Sequence, residues 1–151
     1  MERSAGAVIF RKEPFESPQG KKTKFFYLLL HYPTRSPKSK KAHWDFPKGH
    51  IEKEETETET VKREVREETG LGDINIIYGF KERIKYYFTA KEKTIFKTVV
   101  FYLAETKTKS VKISKEHIGF KWLPYNEALK QLTFQKPRGI LKKADKFIDG
   151  G

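Results

Sequence analysis

Cysteine is absent from this chain of 151 residues, and methionine occurs only once. Without cysteine the protein forms no disulfides and has no thiolate metal ligands. No apolar run approaches the roughly 18 residues that a membrane span needs. The N-terminal segment MERSAGAVIF also lacks a basic region followed by a long apolar one, so we expect no signal peptide. These absences predict a cytoplasmic protein with no membrane partner.

Charged and aromatic residues, by contrast, are abundant. The formal net charge is +12, and 12 Phe and 7 Tyr supply material for a core. The length fits a single domain spanning residues 1–151. The excess of Lys and Arg favours a polyanionic partner: nucleic acid, nucleotide phosphates or an anionic membrane surface. The alternative is a solvated, lysine-rich surface that only maintains solubility.

The order of the predicted elements indicates an α+β fold. Strands and helices intermix without a regular βαβ alternation, which is typical of layered domains such as an α/β/α sandwich. Loops are predicted at EPFESPQGKKTK and YPTRSPKSKKA, and a polar turn at TAKEK. Strands are predicted at residues 4–12, 25–31, 74–88, 94–105 and 120–123, and helices at residues 57–69, after Pro124, and in RGILKKADKFI.

The first of these helices has signals at both ends. Thr56 with Glu59 three residues later forms a capping box, and Gly70 is a typical C-terminal stop. Val61 and Val65 are four residues apart and would form its buried edge. The helix is therefore predicted despite a Glu/Thr alternation at its start that resembles strand periodicity.

Three carboxylates share one face of this helix, because Glu64, Glu67 and Glu68 are related by three and four positions. Like charges at these spacings destabilise a helix by a few tenths of a kcal/mol per pair. A divalent cation would convert the repulsion into coordination, and oxygen ligands suit magnesium, manganese or calcium. The alternative is a solvated acidic helix face.

The residues around this face fit a longer motif. Gly49 is followed after five residues by Glu55, and after seven more by REVREETGL. This pattern fills every fixed position of the Nudix box, so the chain resembles the Nudix hydrolases, which cleave a nucleoside diphosphate linked to a moiety X. The resemblance implies a mixed β-sheet between helices over essentially the whole chain.

The resemblance also implies roles within the box. Arg63 and Glu55 would orient the helix and the loop by pairing. The implied cofactor is Mg²⁺, with Mn²⁺ as a substitute. The implied metal ligands are the backbone carbonyl of Gly49 and the carboxylates of Glu64, Glu67 and Glu68.

Four segments extend the resemblance from about residue 5 to residue 147. HWDFPKGHIE, GFKERIKYYF, KTVVFYLAE and KISKEHIGFKWLPYNEALKQL are similar to the animal and archaeal type of diadenosine tetraphosphate hydrolase, in which water attack gives ATP and AMP. The resemblance implies that Glu116 joins the metal site or polarises the attacking water. It also implies Glu68 or Glu64 as the general base, with Glu68 preferred.

The same resemblance implies contacts with the substrate. Tyr86 or Tyr87, together with Phe134, would stack on adenine, although these rings are equally explained as core residues. Adjacent residues of a strand point to opposite faces, so only one of the two tyrosines can line the pocket. The implied polyphosphate contacts are His43, Lys48 and Lys97, of which His43 is equally explained as a packed histidine at a strand end.

Two lysine-rich loops stand apart from the motif. If they lie at the mouth of the cleft they would steer polyphosphates, or contact an RNA 5′ end; the alternative is that they are solvated. No DNA-specific binding is expected. The residues are Lys21, Lys22, Lys24, Arg35, Lys38, Lys40 and Lys41.

Other functions compete with diadenosine tetraphosphate hydrolysis. A Nudix enzyme could act on capped or triphosphorylated RNA, ADP-ribose, a damaged nucleoside triphosphate or an inositol pyrophosphate. A catalytically silent Nudix module could bind nucleotide or RNA as a regulatory domain. The complete REVREE segment argues against silence, because a binding-only module does not need to retain every ligand.

Overall fold

The computed structural model describes residues 2–33 and 42–150. Seven strands and three helices follow one another along this part of the chain. Their bounds are β1 (Glu2–Ser17), β2 (Gly20–Tyr32), β3 (His43–Asp45), β4 (Lys48–His50), α1 (Glu57–Thr69), β5 (Asn75–Ala90), β6 (Lys93–Glu105), β7 (Gly119–Leu123), α2 (Tyr125–Gln131) and α3 (Gln135–Gly150).

All seven strands belong to one mixed sheet. Its main path is β3-β2-β1-β6-β5, with β4 paired to β1 and β7 paired to β2. The β1–β6 pair is parallel, and the other pairs are antiparallel. The predicted mixed sheet is thereby confirmed.

Helices cover both faces of the sheet, as the sandwich prediction requires. On one face, Val61 and Val65 of α1 pack with the Ala5 side of β1. On the other face, α2 and α3 pack against the β1 side chains that alternate with Ala5 along the strand, such as Val8. Successive strand residues point to opposite faces, so one strand contributes to both cores. The α/β/α architecture is therefore confirmed. None of the helices in the described part of the chain is long and apolar enough to cross a membrane.

The predicted bounds of α1 are also confirmed. The Thr56 hydroxyl accepts a hydrogen bond from the Glu59 N–H at 3.1 Å, and Glu59 Oε1 accepts one from the Thr56 N–H at 2.9 Å. The helix ends where Gly70 adopts φ 76°, a left-handed conformation that glycine enters without a Cβ penalty. Arg63 lies four residues after Glu59 and could have paired with it. Because the Glu59 side chain belongs to the cap, Arg63 pairs with other residues.

The prediction of a loop at residues 13–24 is wrong. β1 and β2 continue as a hairpin to the Ser17–Gly20 pair, and Pro14 is accommodated where β1 no longer has β6 beside it. Lys21, Lys22 and Lys24 consequently lie on β2, at the opposite end of the hairpin from the β1–β4 pairing. They therefore do not flank the cleft at the junction of β4 and α1. Arg35, Lys38, Lys40 and Lys41 lie outside the described residues.

The turn predicted at TAKEK is shorter than expected. β5 continues to Ala90 and β6 begins at Lys93, so only Lys91 and Glu92 connect them. Both have positive φ, 49° and 64°. This is the backbone of a tight two-residue hairpin turn, here formed without the usual Asn-Gly or Asp-Gly sequence.

Candidate active site

The candidate site lies where β4 meets the last turns of α1. β4 pairs with the start of β1, which places Lys48 and Gly49 beside the helix. A cleft of about 570 Å³ opens at this junction. Seven of the residues singled out in the sequence line it: Lys48, Gly49, Glu64, Glu67, Glu68, Lys97 and Glu116.

Glu68 is the most buried of the cleft carboxylates, with only 5% of its surface exposed. Oε2 accepts a hydrogen bond from the Lys48 backbone N–H at 3.0 Å. Oε1 lies 3.2 Å from Nε2 of His117, although none of the described residues gives this nitrogen a well-aligned hydrogen bond. Burial raises the pKa of the Glu68 carboxyl, and the negative charge of Glu116 adds to the rise. Glu68 is therefore held in one orientation on the buried side of the cleft.

Glu64 lies directly against Gly49. A Cβ placed on Gly49 would overlap the Glu64 carboxyl, so only glycine leaves room for the carboxylate in this position. Partial burial raises the pKa of the Glu64 carboxyl, and the charge of Glu68 contributes to the rise. The position brings the carboxylate beside the Gly49 backbone, and these are two of the groups that the Nudix resemblance implied as metal ligands.

Glu67 and Glu116 occupy the exposed rim of the cleft. The Glu67 side chain is 59% exposed, with Oε2 3.3 Å from Nη1 of Arg63. Glu116 reaches the rim from the segment before β7, and its backbone N–H donates to the Ser114 hydroxyl at 3.3 Å. The structure therefore brings Glu116, 48 positions after Glu68, to the same cleft as the box glutamates.

Arg63 ties the loop after β4 to α1. Its Nε and Nη2 bind both oxygens of Glu55, at 2.7 and 3.0 Å. Nη2 also donates to the His50 carbonyl at 2.9 Å, and Nη1 donates to Glu64 at 2.8 Å. The Arg63 bonds to Glu55, together with a hydrogen bond from the Thr60 hydroxyl, hold the pKa of Glu55 down at about 2. Arg63 and Glu55 pair as the resemblance implied.

The candidate metal ligands in the cleft, the Gly49 carbonyl and the glutamates, all offer oxygen atoms, which suits a hard divalent cation. In residues 2–33 and 42–150 no three His, Cys, Asp or Glu side chains converge as a ready cation site. Burial raises the pKa of both the Glu64 and the Glu68 carboxyl, and neighbouring carboxylates add to each rise: Glu68 and Glu67 for Glu64, and Glu116 for Glu68. A cation would offset this crowding of negative charge. The residues present therefore fit such a group by their chemistry, with Arg63 holding Glu64 and Glu67.

Aromatic rings continue from the cleft in one direction. The edge of His117 meets the Tyr32 ring at 4.6 Å between centroids. Tyr32 stacks on His43 at 5.1 Å and 6°, and His43 contacts Phe134 at 5.4 Å. Phe134 is half exposed. His43 thus belongs to a stack that ends in an accessible ring.

The two adjacent tyrosines are separated by the sheet. Tyr86 shares a face with Lys97, its cross-strand partner, and its ring lies 5.0 Å from Lys136 Nζ and 6.0 Å from Lys48 Nζ. Burial raises the pKa of its phenol to about 12. Tyr87 points to the other face, so it does not share the Tyr86 environment.

Two residues of the site were missed in the sequence. Asp45 is buried and binds Lys48 Nζ at 2.8 Å, so the Lys48 side chain is already paired within the site. His117 lies beneath Glu68. The adjacency of His117 to Glu116 was the one available signal for it. Nothing in the sequence distinguished Asp45 from other residues before the box.

Comparison with known proteins decides the family. Residues 3–144 match the family model of the NUDIX domain. The chain belongs to the Nudix family. The comparisons confirm the enzyme class that the complete motif implied: this chain is a Nudix hydrolase. Nudix hydrolases generally need a divalent metal ion.

Relatives of this Nudix hydrolase cover nearly its full length. The asymmetrical bis(5′-nucleosyl)-tetraphosphatase of Sus scrofa is 34% identical over 150 residues, which are 97% of this chain and 95% of the relative. The enzyme of the same name from Caenorhabditis elegans is 28% identical over 98% and 97% of the two chains. A crystal structure of a C. elegans Ap4A hydrolase binary complex superposes with a TM-score of 0.77, at 29% identity and full coverage of both chains. The resemblance to this type of hydrolase is confirmed.

Proposed function

We propose that this Nudix hydrolase cleaves diadenosine tetraphosphate with water to give ATP and AMP. The observation that carries the proposal is the cleft, where the box glutamates and Glu116 face Lys48 and Lys97. Full-length relatives named as asymmetrical tetraphosphatases support this substrate. Carboxylates and lysines on one cleft suit a metal-accompanied polyphosphate, because each sign of charge has a counterpart in the substrate complex.

Mg²⁺ is the proposed cofactor, with Mn²⁺ as a substitute. The residues that would hold it are the Gly49 carbonyl, Glu64, Glu67, Glu68 and Glu116. When bound, it neutralises phosphate charge and makes water more acidic.

Glu68 is the proposed general base. Its buried carboxylate is held by the Lys48 N–H and lies beside His117, so one orientation is favoured before substrate arrives. A carboxylate already fixed in this way gives up little orientational freedom when it accepts a proton from water. Glu64, which lies against Gly49 in the same cleft, is the alternative base.

The substrate's first nucleoside is assigned to the aromatic side of the cleft. Tyr86 lies beneath Lys48 and Lys136, and Phe134 ends the stack through His43. We assign adenine stacking to Tyr86 and Phe134, and phosphate contacts to His43, Lys48 and Lys97. Tyr87 is not part of this base site, because it points to the opposite face.

The test is turnover with Mg²⁺ against a panel of substrates. The panel contains diadenosine tetraphosphate, ADP-ribose, a triphosphorylated RNA, a damaged nucleoside triphosphate and an inositol pyrophosphate. Formation of ATP plus AMP in equal amounts, resolved by anion-exchange chromatography, is the expected result. Formation of two ADP, or no turnover of diadenosine tetraphosphate, would refute the proposal. Faster turnover of the RNA would favour pyrophosphate removal from RNA ends instead.

The cytoplasmic location and the single domain over residues 1–151 stay predictions from the sequence. Cell fractionation followed by immunoblotting tests the location, and limited proteolysis tests the single domain. A protease-resistant core much shorter than the chain would contradict the second prediction.

A further inference from the structure

The outer part of the β5–β6 hairpin carries two exposed rings that the site above does not use. Tyr87 and Phe96 are directly opposite one another, with ring centroids 5.0 Å apart at 80°. They are 63% and 48% exposed. The parallel pairing of β6 with β1 begins at Glu2 and Lys97, so both rings lie on the portion of the hairpin beyond that pairing.

Cations continue along the same face of the hairpin. The next cross-strand pairs are Lys85 with Thr98 and Arg83 with Val100, and all four share the face of Tyr87 because side chains alternate. Arg83 lies 3.5 Å from Glu57, and Arg3 of β1 lies 3.6 Å from the same carboxylate. Lys81 Nζ lies 2.8 Å from this carboxylate as well, so three cations surround the Glu57 carboxylate.

A surface depression lies on this face. It is lined by Arg3, Ser4, Arg83 and Thr98 among others. Ser4 lines the catalytic cleft as well. Thr98 is two positions from Phe96 on the same side of β6, so the depression lies on the same face as the two rings and next to them along the strand. Tyr86 is on the opposite face of the hairpin.

We propose that Tyr87 and Phe96 bind the second nucleobase of a dinucleoside polyphosphate, with Arg3 and Arg83 contacting phosphates between that base and the cleft. The inference rests on the proposed function, since it concerns the other half of the same substrate. A nucleobase offers a π-face to an exposed aromatic ring. The cations beside the rings favour this occupant, because a base arrives attached to negatively charged phosphates.

The experiment compares two substrates with the same phosphate chain. Diadenosine tetraphosphate carries two nucleosides, and adenosine 5′-tetraphosphate carries one. For the wild-type enzyme we expect a KM about tenfold lower for the dinucleoside, as one stacked base would give. In the double variant Y87A/F96A the ratio of the two KM values should fall to about one. Phe15→Ala, which removes an exposed ring at the far end of the β1–β2 hairpin, is the control and should keep the wild-type ratio.

Failure of this inference and failure of the proposed function give different results. If both tetraphosphates are hydrolysed and the KM ratio is the same in wild type and Y87A/F96A, the second subsite is wrong and the proposed function stands. If neither is hydrolysed, the proposed function fails. Calorimetric titration of both nucleotides then decides the subsite, because the affinity ratio must still fall in the double variant; equal ratios, or no binding, overturn it.

A second copy of the chain is the competing occupant of the two rings. Sedimentation velocity of wild type and Y87A/F96A separates this case. A wild-type dimer that dissociates in the double variant would overturn the nucleobase subsite. A sedimentation coefficient unchanged by the substitution, together with the loss of the KM ratio, supports it.

Discussion

The imidazole of His117 lies against the carboxylate of Glu68, with Nε2 3.2 Å from Oε1. The imidazole is fully buried, and its Nδ1 lies 2.9 Å from the Ser114 hydroxyl. The backbone N–H of Ser114 also donates to the carbonyl of Glu68 at 3.2 Å. The segment before β7 is therefore fastened to the end of α1 through both the side chain and the main chain of Glu68.

His117→Ala is expected to impair both stability and turnover. The substitution leaves the buried Glu68 carboxylate without the imidazole, which costs about 1–3 kcal/mol in the free energy of unfolding. With one oxygen released, Glu68 loses its preferred orientation, so kcat should fall tenfold or more while KM changes little. Urea unfolding and steady-state kinetics measure the two effects.

His117→Gln is the matched variant, since its amide can donate to Glu68 in the place of the imidazole. We expect it to recover part of the lost kcat. If His117→Ala lowered stability but left kcat at the wild-type value, His117 would be structural only and would not orient Glu68.

Glu68→Gln tests the base directly. An amide of nearly the same shape can still accept from the Lys48 N–H but cannot accept a proton from water, so kcat should drop about a hundredfold or more. Affinity for a non-hydrolysable substrate analogue, measured by calorimetry, should stay close to that of the wild type. Glu59→Gln is the control: glutamine also serves at this position of a capping box, and the residue is far from the cleft in α1. Unchanged turnover in Glu68→Gln would remove Glu68 from the catalytic role.

The bounds of α1 and the close approach within the box depend on contacts that are local along the chain. Thr56, Glu59 and Gly70 set the ends of α1 through bonds spanning three or four residues. The box likewise brings Gly49 to Glu64 within 15 positions. Signals of this kind are readable because the interacting groups lie within one motif.

The parts that failed depend on partners distant in sequence or on missing turn signals. Pro14 suggested a loop, yet the strand continues because only one neighbour pairs with it there. Lys91 and Glu92 adopt positive φ without glycine or asparagine, so composition did not reveal a two-residue turn. Glu68 and His117 are separated in the sequence by β5 and β6, so their contact is not visible from neighbouring residues.

Glu55→Gln should lower stability in a way that depends on pH. In the folded protein Arg63 holds the pKa of Glu55 at about 2, whereas an unfolded glutamate has a pKa of about 4.5. A lowered pKa stabilises the fold above the unfolded value, and this contribution disappears as the pH falls through the folded value. The difference in urea midpoint between wild type and Glu55→Gln should therefore be full at pH 7 and decline between about pH 4.5 and 2. A difference that stayed constant over this range would contradict the ion-pair explanation.

Gly49→Ala and Gly6→Ala separate activity from stability at two neighbouring positions. At Gly49 the added methyl would meet the Glu64 carboxyl, the end of a flexible side chain that can move aside. Stability should stay near the wild-type value while kcat/KM falls at least tenfold, because Glu64 is displaced from the cleft. At Gly6 the methyl would meet the Pro47 carbonyl and the Lys48 backbone, which cannot move without shifting β4.

Gly6→Ala should therefore lose about 1–3 kcal/mol of unfolding free energy, as overpacked sites do. For a domain of this size the loss lowers Tm by about 2–4 °C per kcal/mol. Thermal unfolding and steady-state kinetics on both variants provide the comparison. A Gly49→Ala enzyme with normal kcat/KM would show that Glu64 tolerates displacement, and would exclude it from both metal binding and the alternative role of base. A Gly49→Ala protein as destabilised as Gly6→Ala would instead show that the helix end, and not the carboxylate alone, depends on this glycine.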